Sequence, residues 1–387
     1  MKNILIVNDT WNLVNGITTI YQNMLEEFKK QHDLNFIFVY PSTSFEVNYL
    51  DQNIIECGLP LKVKIKLPFY KEITQGIPNF NWYETLQNKF GDMDLIHITT
   101  QGVLGYYFSK VSKRYNIYST GFYHTFMPLF AQKYMPKRFP FLKKLSYQVL
   151  RKFDKMVYRN CSEIFYHTED SKTYLENLFS NKKYTSITAL IPLKKIVSYR
   201  KEQKKVISKE KPIVFGYIGR LAKEKNIEAI VRLEPYFVKN NIKFVFIGDG
   251  PMTDYIKENS SLEVTGYLKN EALFKQIQRL DFNIIPSATD TLNMTLLESA
   301  SQQIPSIGFY NSVPSKLIVK YESGMTYTCF KNPNWIKDFR NSITQDKYNE
   351  LQNNCLSLIE GSDISNGSRK IISSWVKPRY LNELCLE

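Results

Sequence analysis

The chain has 387 residues, 43% of them hydrophobic and 14% aromatic, and a formal net charge of +14. That length suits two domains with large cores. The apolar start Ile4–Val7 is too short for a secretory signal, which needs about 7–15 such residues, and no apolar run approaches the ~20 of a membrane span. The chain therefore reads as soluble, or as resting on a membrane surface.

The five cysteines (57, 161, 329, 355 and 385) show neither CxxC nor metal spacing, and an odd, scattered set suits a reducing cytoplasm. Two windows, 133–159 and 194–211, carry +8 and +6 and account for the whole excess charge. A localised positive field usually faces phosphate groups of a membrane, a nucleic acid or a nucleotide.

In chain order, Ile4–Val7 predicts a strand, and Ile17, Ile20, Met24 and Phe28 predict a helix. Strands follow at 35–40, 95–99, 117–125 and 163–168. A second series opens at 213–219 and continues at 243–248, 262–266, 281–286 and 305–309, with helical stretches between. Strands alternating with helices predict βαβ units in parallel sheets. The Lys-rich stretch 193–212 lacks apolar periodicity and is expected to be an exposed linker. Residues 311–370 are weakly patterned. The expected fold class is α/β, with two doubly wound domains facing each other across a cleft. The expected division is 1–195, a basic linker 196–212, a second domain 213–370, and a tail 371–387 crossing back to the first. Ligands of such sheets sit at the carboxyl ends of strands.

Three stretches after strands carry the chemistry. Gly16 stands in the loop after the first strand, just before a helix, where backbone can approach an anion closely; a plain turn glycine is the alternative. In GYIGRLAKEKNIEAI (216–230), Arg220 and Lys225 flank a turn into a helix N-terminus. Two cations there oppose the helix dipole, a fault that a bound diphosphate would repair; two solvated surface cations are the alternative. In IIPSATDTLNMTLLESA (284–300), Asp290 is either a helix cap or a sugar-hydroxyl acceptor, with Glu298 about two turns in. As a ligand site, Glu298 takes a ribose diol, and backbone N–H groups of Leu292, Asn293 and Met294 meet the phosphates.

The order and spacing of GYIGRLAKEKNI, FVFIGDGPM, VTGYLKNEAL and PSATDTLNMTLLESASQQIP resemble the C-terminal half of the retaining glycosyltransferase family 4, which has the GT-B fold. The family's motif is an acid, seven residues and a Glu, and Asp290–Glu298 has that spacing; its diphosphate Arg and Lys fall on Arg220 and Lys225. VNGITTIYQNM looks like its donor-side Gly loop and places Gly16. DLIHITTQGVLG and GFYHTFMPLFAQKYMP look like the lipid-directed branch of sulfoquinovosyl-, mannosyl- and glucosyl-transferases, whose active-site histidine falls on His124. The resemblance covers residues 1–310 and implies that His124 contacts the donor sugar. Three departures stand out. Asp290 replaces the usual Glu, Leu292-Asn293 replaces a common Phe-Gly, and Ser301-Gln302-Gln303 replaces a small Ala-Ser-Gly. They bear on which sugar is read more than on the reaction class.

His97 sits inside a strand and reads as structural, as does His167. Asp92-x-Asp94 has the form of a metal signature but precedes its strand, so no metal and no cofactor are expected. The helix 141–160 has Leu142, Leu145, Val149, Phe153 and Met156 at helical steps. Lys143, Lys144, Arg151 and Lys152 lie on its other faces, and Lys137 and Arg138 precede it. These six cations are the expected contact with an anionic membrane, the alternative being a core-packed helix with a wet basic face.

The resulting expectation is a metal-independent, retaining hexosyltransferase, peripheral on the inner face of the plasma membrane. Its donor is a nucleotide-diphosphate sugar, UDP-sugar favoured. Its acceptor is diacylglycerol or a glycosylated diacylglycerol. The expected catalytic residues are His124, Arg220, Lys225 and Asp290. The alternatives are a polyprenol-linked, capsular or teichoic-type acceptor, and a non-catalytic binding subunit of the same fold. A nucleic-acid partner is not expected, because no RNA- or DNA-binding pattern accompanies the charge.

Overall fold

A computed structural model of the chain describes residues 1–13, 15–67, 70–78, 82–132, 140–187, 191–200, 205–208, 210–287, 293–310, 312–360 and 362–376. It divides into two units, Met1–Leu190 with Ile364–Glu387, and Ile191–Asp363. The division thus falls at 190/191 and 363/364, not at 195 and 370.

The first unit is laid out as β1 (Lys2–Val7), α1 (Gly16–Lys29), β2 (Leu34–Ser42), β3 (Glu46–Asp51), β4 (Ile54–Leu67), β5 (Tyr70–Pro78) and α2 (Trp82–Phe90). It continues with β6 (Leu95–Ile98), α3 (Val103–Arg114), β7 (Tyr118–Tyr123), α4 (Met127–Gln132), α5 (Pro140–Tyr158), β8 (Glu163–Tyr166), α6 (Glu169–Glu176) and β9 (Lys183–Ser186). Among the described residues its sheet has nine strands in the order β3-β4-β2-β1-β6-β7-β8-β9, with β5 paired to β4. The pairs from β4 to β9 are parallel, while β3 and β5 run antiparallel to β4. β1 is apolar and buried from Ile4 to Val7, as expected of a strand covered on both faces.

The second unit carries α7 (Leu193–Ser198), β10 (Ile213–Ile218), a 3₁₀ turn (Lys223–Lys225), α8 (Ile227–Arg232), α9 (Glu234–Lys239), β11 (Ile242–Ile247), α10 (Thr253–Asn259), β12 (Glu263–Val264) and α11 (Asn270–Ile277). Then come β13 (Phe282–Ile285), α12 (Met294–Ser301), β14 (Ser306–Phe309), α13 (Val313–Lys320), β15 (Gly324–Tyr327), α14 (Asn334–Ser342) and α15 (Gln345–Ile359). Its sheet is parallel throughout, in the order β12-β11-β10-β13-β14-β15. That is the doubly wound order, whose strand sequence reverses between β10 and β13. The first unit reverses likewise between β1 and β6. The described part of the weakly patterned stretch 311–370 runs from α13 to α15 and into α16 (Ile364–Val376), which belongs to the first unit.

The expected exposed linker is corrected. Its first part is α7, with Ile196 buried. Gln302 Nε2 donates to the Ile196 carbonyl at 3.0 Å, and Gln278 Nε2 to that of Tyr199 at 2.6 Å. Lys205 reaches the Leu280 carbonyl and pairs with Asp281 at 3.5 Å. This stretch is packed against the second unit; 201–204 and 209 lie outside the described residues.

The apolar positions read on the basic helix divide between core and solvent, with Phe153 packed against the core. The buried side chains of α5 are Asp154, Val157 and Tyr158, whereas Leu145 and Val149 are 55% and 54% exposed. With Phe141 at 64%, they form an i, i+4, i+8 row facing water.

In α16, Trp375 donates to Thr120 Oγ1 at 3.2 Å and packs 4.9 Å from the His97 ring, and Ser374 bonds the buried Glu163 carboxylate. His97 is fully buried between the Tyr21 hydroxyl on Nε2 and the Thr120 hydroxyl on Nδ1, both at 2.7 Å. Burial pushes its pKa down to about 3, the mark of a structural, neutral ring.

Candidate functional site

In the second unit the candidate residues gather where the strand order reverses. β10 ends at Ile218, and the next loop crosses the tip of β11. Gly219 N–H donates to the Ile247 carbonyl, Leu221 N–H to Asp249 and Met252 N–H to Leu221, at 2.9–3.0 Å. The approach is so close that a Cβ on Gly248, at φ +151, would collide with the Gly219 carbonyl oxygen. Arg220 is carried in this fixed loop, half-buried, with its carbonyl accepting the Tyr217 hydroxyl at 2.9 Å. Lys225, also half-buried, closes the 3₁₀ turn ahead of α8.

The neighbouring strand β13 runs into Pro286 and Ser287. Asp290 and Leu292 lie outside the described residues, so their expected roles stand as proposals. The cap of α12 is Asn293, whose Oδ1 accepts the Leu296 N–H at 3.0 Å and the Thr295 hydroxyl at 2.6 Å. Asp290 is therefore not the capping residue. Met294 is the first helical residue, which puts Glu298 just over one turn in rather than two. Glu298 is half-buried, and among the described residues no hydrogen bond reaches its carboxylate. Desolvation pushes its pKa up to about 7. A carboxylate in this setting gains from any ligand that supplies donors.

In the first unit, Asn15 Oδ1 accepts the Thr18 N–H at 3.0 Å and caps α1. Gly16 is exposed, and a Cβ there would meet nothing within 4 Å. Packing within the unit does not demand glycine at this point. The sequence missed Asp9, at the end of β1. Its carboxylate accepts the Thr100 hydroxyl at 2.8 Å and the backbone N–H of Leu104 and Gly105 at 3.0 and 3.4 Å. It caps α3 in place of Gly102, which has no side chain, and burial pushes it up to about 6.

His124 follows β7 and is buried. Its Nδ1 lies 3.0 Å from His167 Nε2, and His167 Nδ1 lies 2.9 Å from the Ile187 carbonyl. A carbonyl only accepts, so His167 Nδ1 carries the proton and its Nε2 accepts from His124 Nδ1. Burial takes His167 down to about 4, and burial with the His167 and His97 neighbours takes His124 well below its ordinary value. Both rings are neutral at pH 7, with their tautomers set by this chain of bonds.

Of the expected membrane contacts, Lys143 and Arg151 are half-buried and Lys144 and Lys152 exposed on α5; Lys137 and Arg138 lie outside the described residues. No helix among the described residues is long and apolar enough to cross a membrane. Among the described residues no group of three or more His, Cys, Asp or Glu could hold a metal ion.

Residues 198–355, nearly the whole second unit, match the family model of the Glycosyl transferases group 1. The chain is 23% identical over 317 residues to a GDP-mannose-dependent alpha-mannosyltransferase of Corynebacterium glutamicum, covering 81% of this chain and 73% of that one. It is 24% identical over 261 residues to the alpha-monoglucosyldiacylglycerol synthase of Acholeplasma laidlawii, covering 63% of this chain and 65% of that one. Among solved structures, sucrose-phosphate synthase from Thermosynechococcus elongatus superposes with a TM-score of 0.74 at 13% identity, over 97% of this chain and 98% of that one. The topology of both sheets and the superposition on the solved structure show the GT-B fold, and along that fold the second unit matches the Glycosyl transferases group 1 model while the chain as a whole is similar to glycosyltransferases, among them one that makes a glucosyldiacylglycerol.

Proposed function

We propose that the protein moves a hexose, with retention, from a nucleoside-diphosphate sugar to a membrane lipid such as a diacylglycerol or its glycoside. The observation that carries this reading is Glu298. Glu298 is a half-buried carboxylate with no donor among the described residues, on the helix that follows β13, while Arg220 and Lys225 follow β10, and the second sheet reverses between these two strands. A ribose diol supplies the donors that Glu298 lacks, and a diphosphate supplies the charge that the two cations complement. In this reading Asn293 and Met294 offer backbone N–H groups to the phosphates, while Asp290 and Leu292 border the sugar. Gly16 leaves room beside the transferred group, and His124 contacts the sugar.

The anomeric C–O bond to the diphosphate breaks, and a bond to the acceptor oxygen forms on the same face. The acceptor proton passes to the departing phosphate oxygen. Arg220 and Lys225 stabilise the charge that builds there, and the step is proposed to run without a metal ion.

The lipid acceptor is supported by the α5 surface. Phe141, Leu145 and Val149 are exposed in one row, with Lys144, Lys152 and Lys155 exposed on the same helix. An apolar row among cations suits an anionic bilayer surface, with the enzyme peripheral to it. The monoglucosyldiacylglycerol synthase among the relatives points to the same acceptor class, and the GDP-mannose-dependent relative leaves UDP and GDP both to be tried. The test is a panel of UDP- and GDP-hexoses scored for hydrolysis and for transfer to extracted lipids. Transfer to a lipid with the anomeric configuration retained is expected. Transfer to a soluble glycan alone, or inversion, contradicts the proposal.

A further inference from the structure

Asn226 sits between the 3₁₀ turn that ends at Lys225 and the start of α8, at φ +58, ψ +29. That left-handed conformation suits Gly, Asn or Asp. An Asn at a helix start ordinarily turns its side chain onto the backbone N–H groups of its own helix. Asn226 makes no such bond; only its backbone carbonyl serves α8, accepting from Ala229 and Ile230 at 3.0 and 3.2 Å. Its Nδ2 instead donates to the Pro286 carbonyl, 60 residues away, at 2.6 Å. Pro286 is buried at the exit of β13, just before Ser287 and the stretch that carries Asp290. β10 and β13 are paired neighbours, and the sheet reverses between them. The bond therefore spans the crevice in which a doubly wound sheet takes its ligand.

We infer that Asn226 is a positioning residue, which clamps the Lys225 turn to the exit of β13 at Pro286 and so holds the cationic turn in register with the end of the neighbouring strand. This rests on the donor site proposed above. Near-attack geometry tolerates little misplacement, and a cation that acts on the departing diphosphate acts only where it is held. Lys225 alone is a long, flexible side chain, and its turn has three residues and no buried side chain of its own. The amide ties the end of that turn to the neighbouring strand across the crevice.

The test separates the amide from the backbone shape. Asn226→Gly keeps the left-handed conformation and removes only the amide. Asn226→Asp also keeps the conformation, but sets a carboxylate against the Pro286 carbonyl. Full-length wild type and both variants are compared for melting temperature, for UDP and GDP binding by calorimetry, and for kcat and KM with the hexose donor found active. The expected result is a kcat at least tenfold lower in Asn226→Gly and lower still in Asn226→Asp. Nucleotide affinity is expected to change less than threefold, and the melting temperature of the glycine variant little. A kcat for Asn226→Gly within twofold of wild type overturns the clamp while leaving the donor site standing. A wild type that neither binds a nucleoside diphosphate nor turns over any donor removes both.

Discussion

Asp9 Oδ1 accepts the Leu104 N–H at 3.0 Å, so a carboxylate at the end of β1 caps a helix 95 residues later. With the Asn226–Pro286 bond, each unit has its sheet reversal bridged by a side chain from the loop after its first strand. The caps and clamps that hold these loops are long-range, which makes them testable one at a time.

The Asp9 cap needs Gly102, because a Cβ there would collide with the carboxylate. Gly102→Ala is expected to destabilise the protein by about 1–3 kcal/mol, and Asp9→Ala by a similar amount. In the double variant the collision is gone, so the two costs do not add. Urea unfolding of the four proteins measures the coupling; full additivity would contradict the shared cap.

Asp154, on α5, is buried with the Tyr123 and Tyr174 hydroxyls donating to Oδ2 at 3.1 and 2.8 Å, and no partner on Oδ1 among the described residues. Desolvation raises its pKa from 3.8 to about 7. The folded chain thus holds this proton more tightly than the unfolded one. Its stabilising effect is complete below about pH 4 and is lost as pH rises through 7, by about 1.4 kcal/mol per unit at most. Asp154→Asn, which cannot ionise, is expected to gain stability relative to wild type between pH 5 and pH 8.5. Denaturant midpoints at the two pH values decide it, and a constant difference counts against the raised value.

In the proposed donor site, Glu298 is expected to make the donor affinity pH-dependent. Its carboxyl titrates near 7 in the ligand-free protein, and diol hydroxyls bond best to the ionised form. Binding of a nucleoside-diphosphate hexose, which has no group of its own titrating near neutrality, is expected to weaken as pH falls below 7, by up to about tenfold per unit. Proton release at pH 6.5 is expected in calorimetry across buffers of different ionisation enthalpy. Glu298→Gln is expected to bind more weakly at pH 8 and to lose the dependence. An unchanged pH profile in that variant assigns the titration to another group.

The exposed row on α5 predicts a clean separation of membrane binding from folding. Leu145→Glu with Val149→Glu leaves stability within about 0.5 kcal/mol, since both side chains face water. The same pair is expected to abolish flotation with anionic vesicles. Flotation equal to wild type moves the membrane contact elsewhere.

Much of this was legible in the sequence, because buried parallel strands are continuous apolar runs. Ile4–Val7, Ile213–Ile218 and Ile242–Ile247 announce themselves in that way. The β3–β5 meander did not. Phe45, Tyr49 and Leu50 at its edge are exposed, so burial imposes no period there. The stretch 193–212 read as linker because its anchors are backbone carbonyls of Ile196 and Tyr199, which any residue type can offer. Asp9 was silent for a related reason: its partners lie 91–96 residues away and are themselves largely backbone N–H groups. At the proposed site, Arg220, Lys225 and Glu298 are singled out in the sequence by charge in an unfavourable place. The start of α12 could not, since Asp290 and Asn293 are both good caps and only the Asn293–Leu296 bond decides between them.

Lys225, the cation that ends the 3₁₀ turn, carries the proposed chemistry most directly. Single-turnover transfer from the active nucleoside-diphosphate hexose should be measured for wild type and Lys225→Ala, with melting temperatures alongside. The site predicts a rate lower by about 10²–10³ in the variant with folding intact. A rate equal to wild type would show that the diphosphate leaves without Lys225, and the proposed donor site would be wrong.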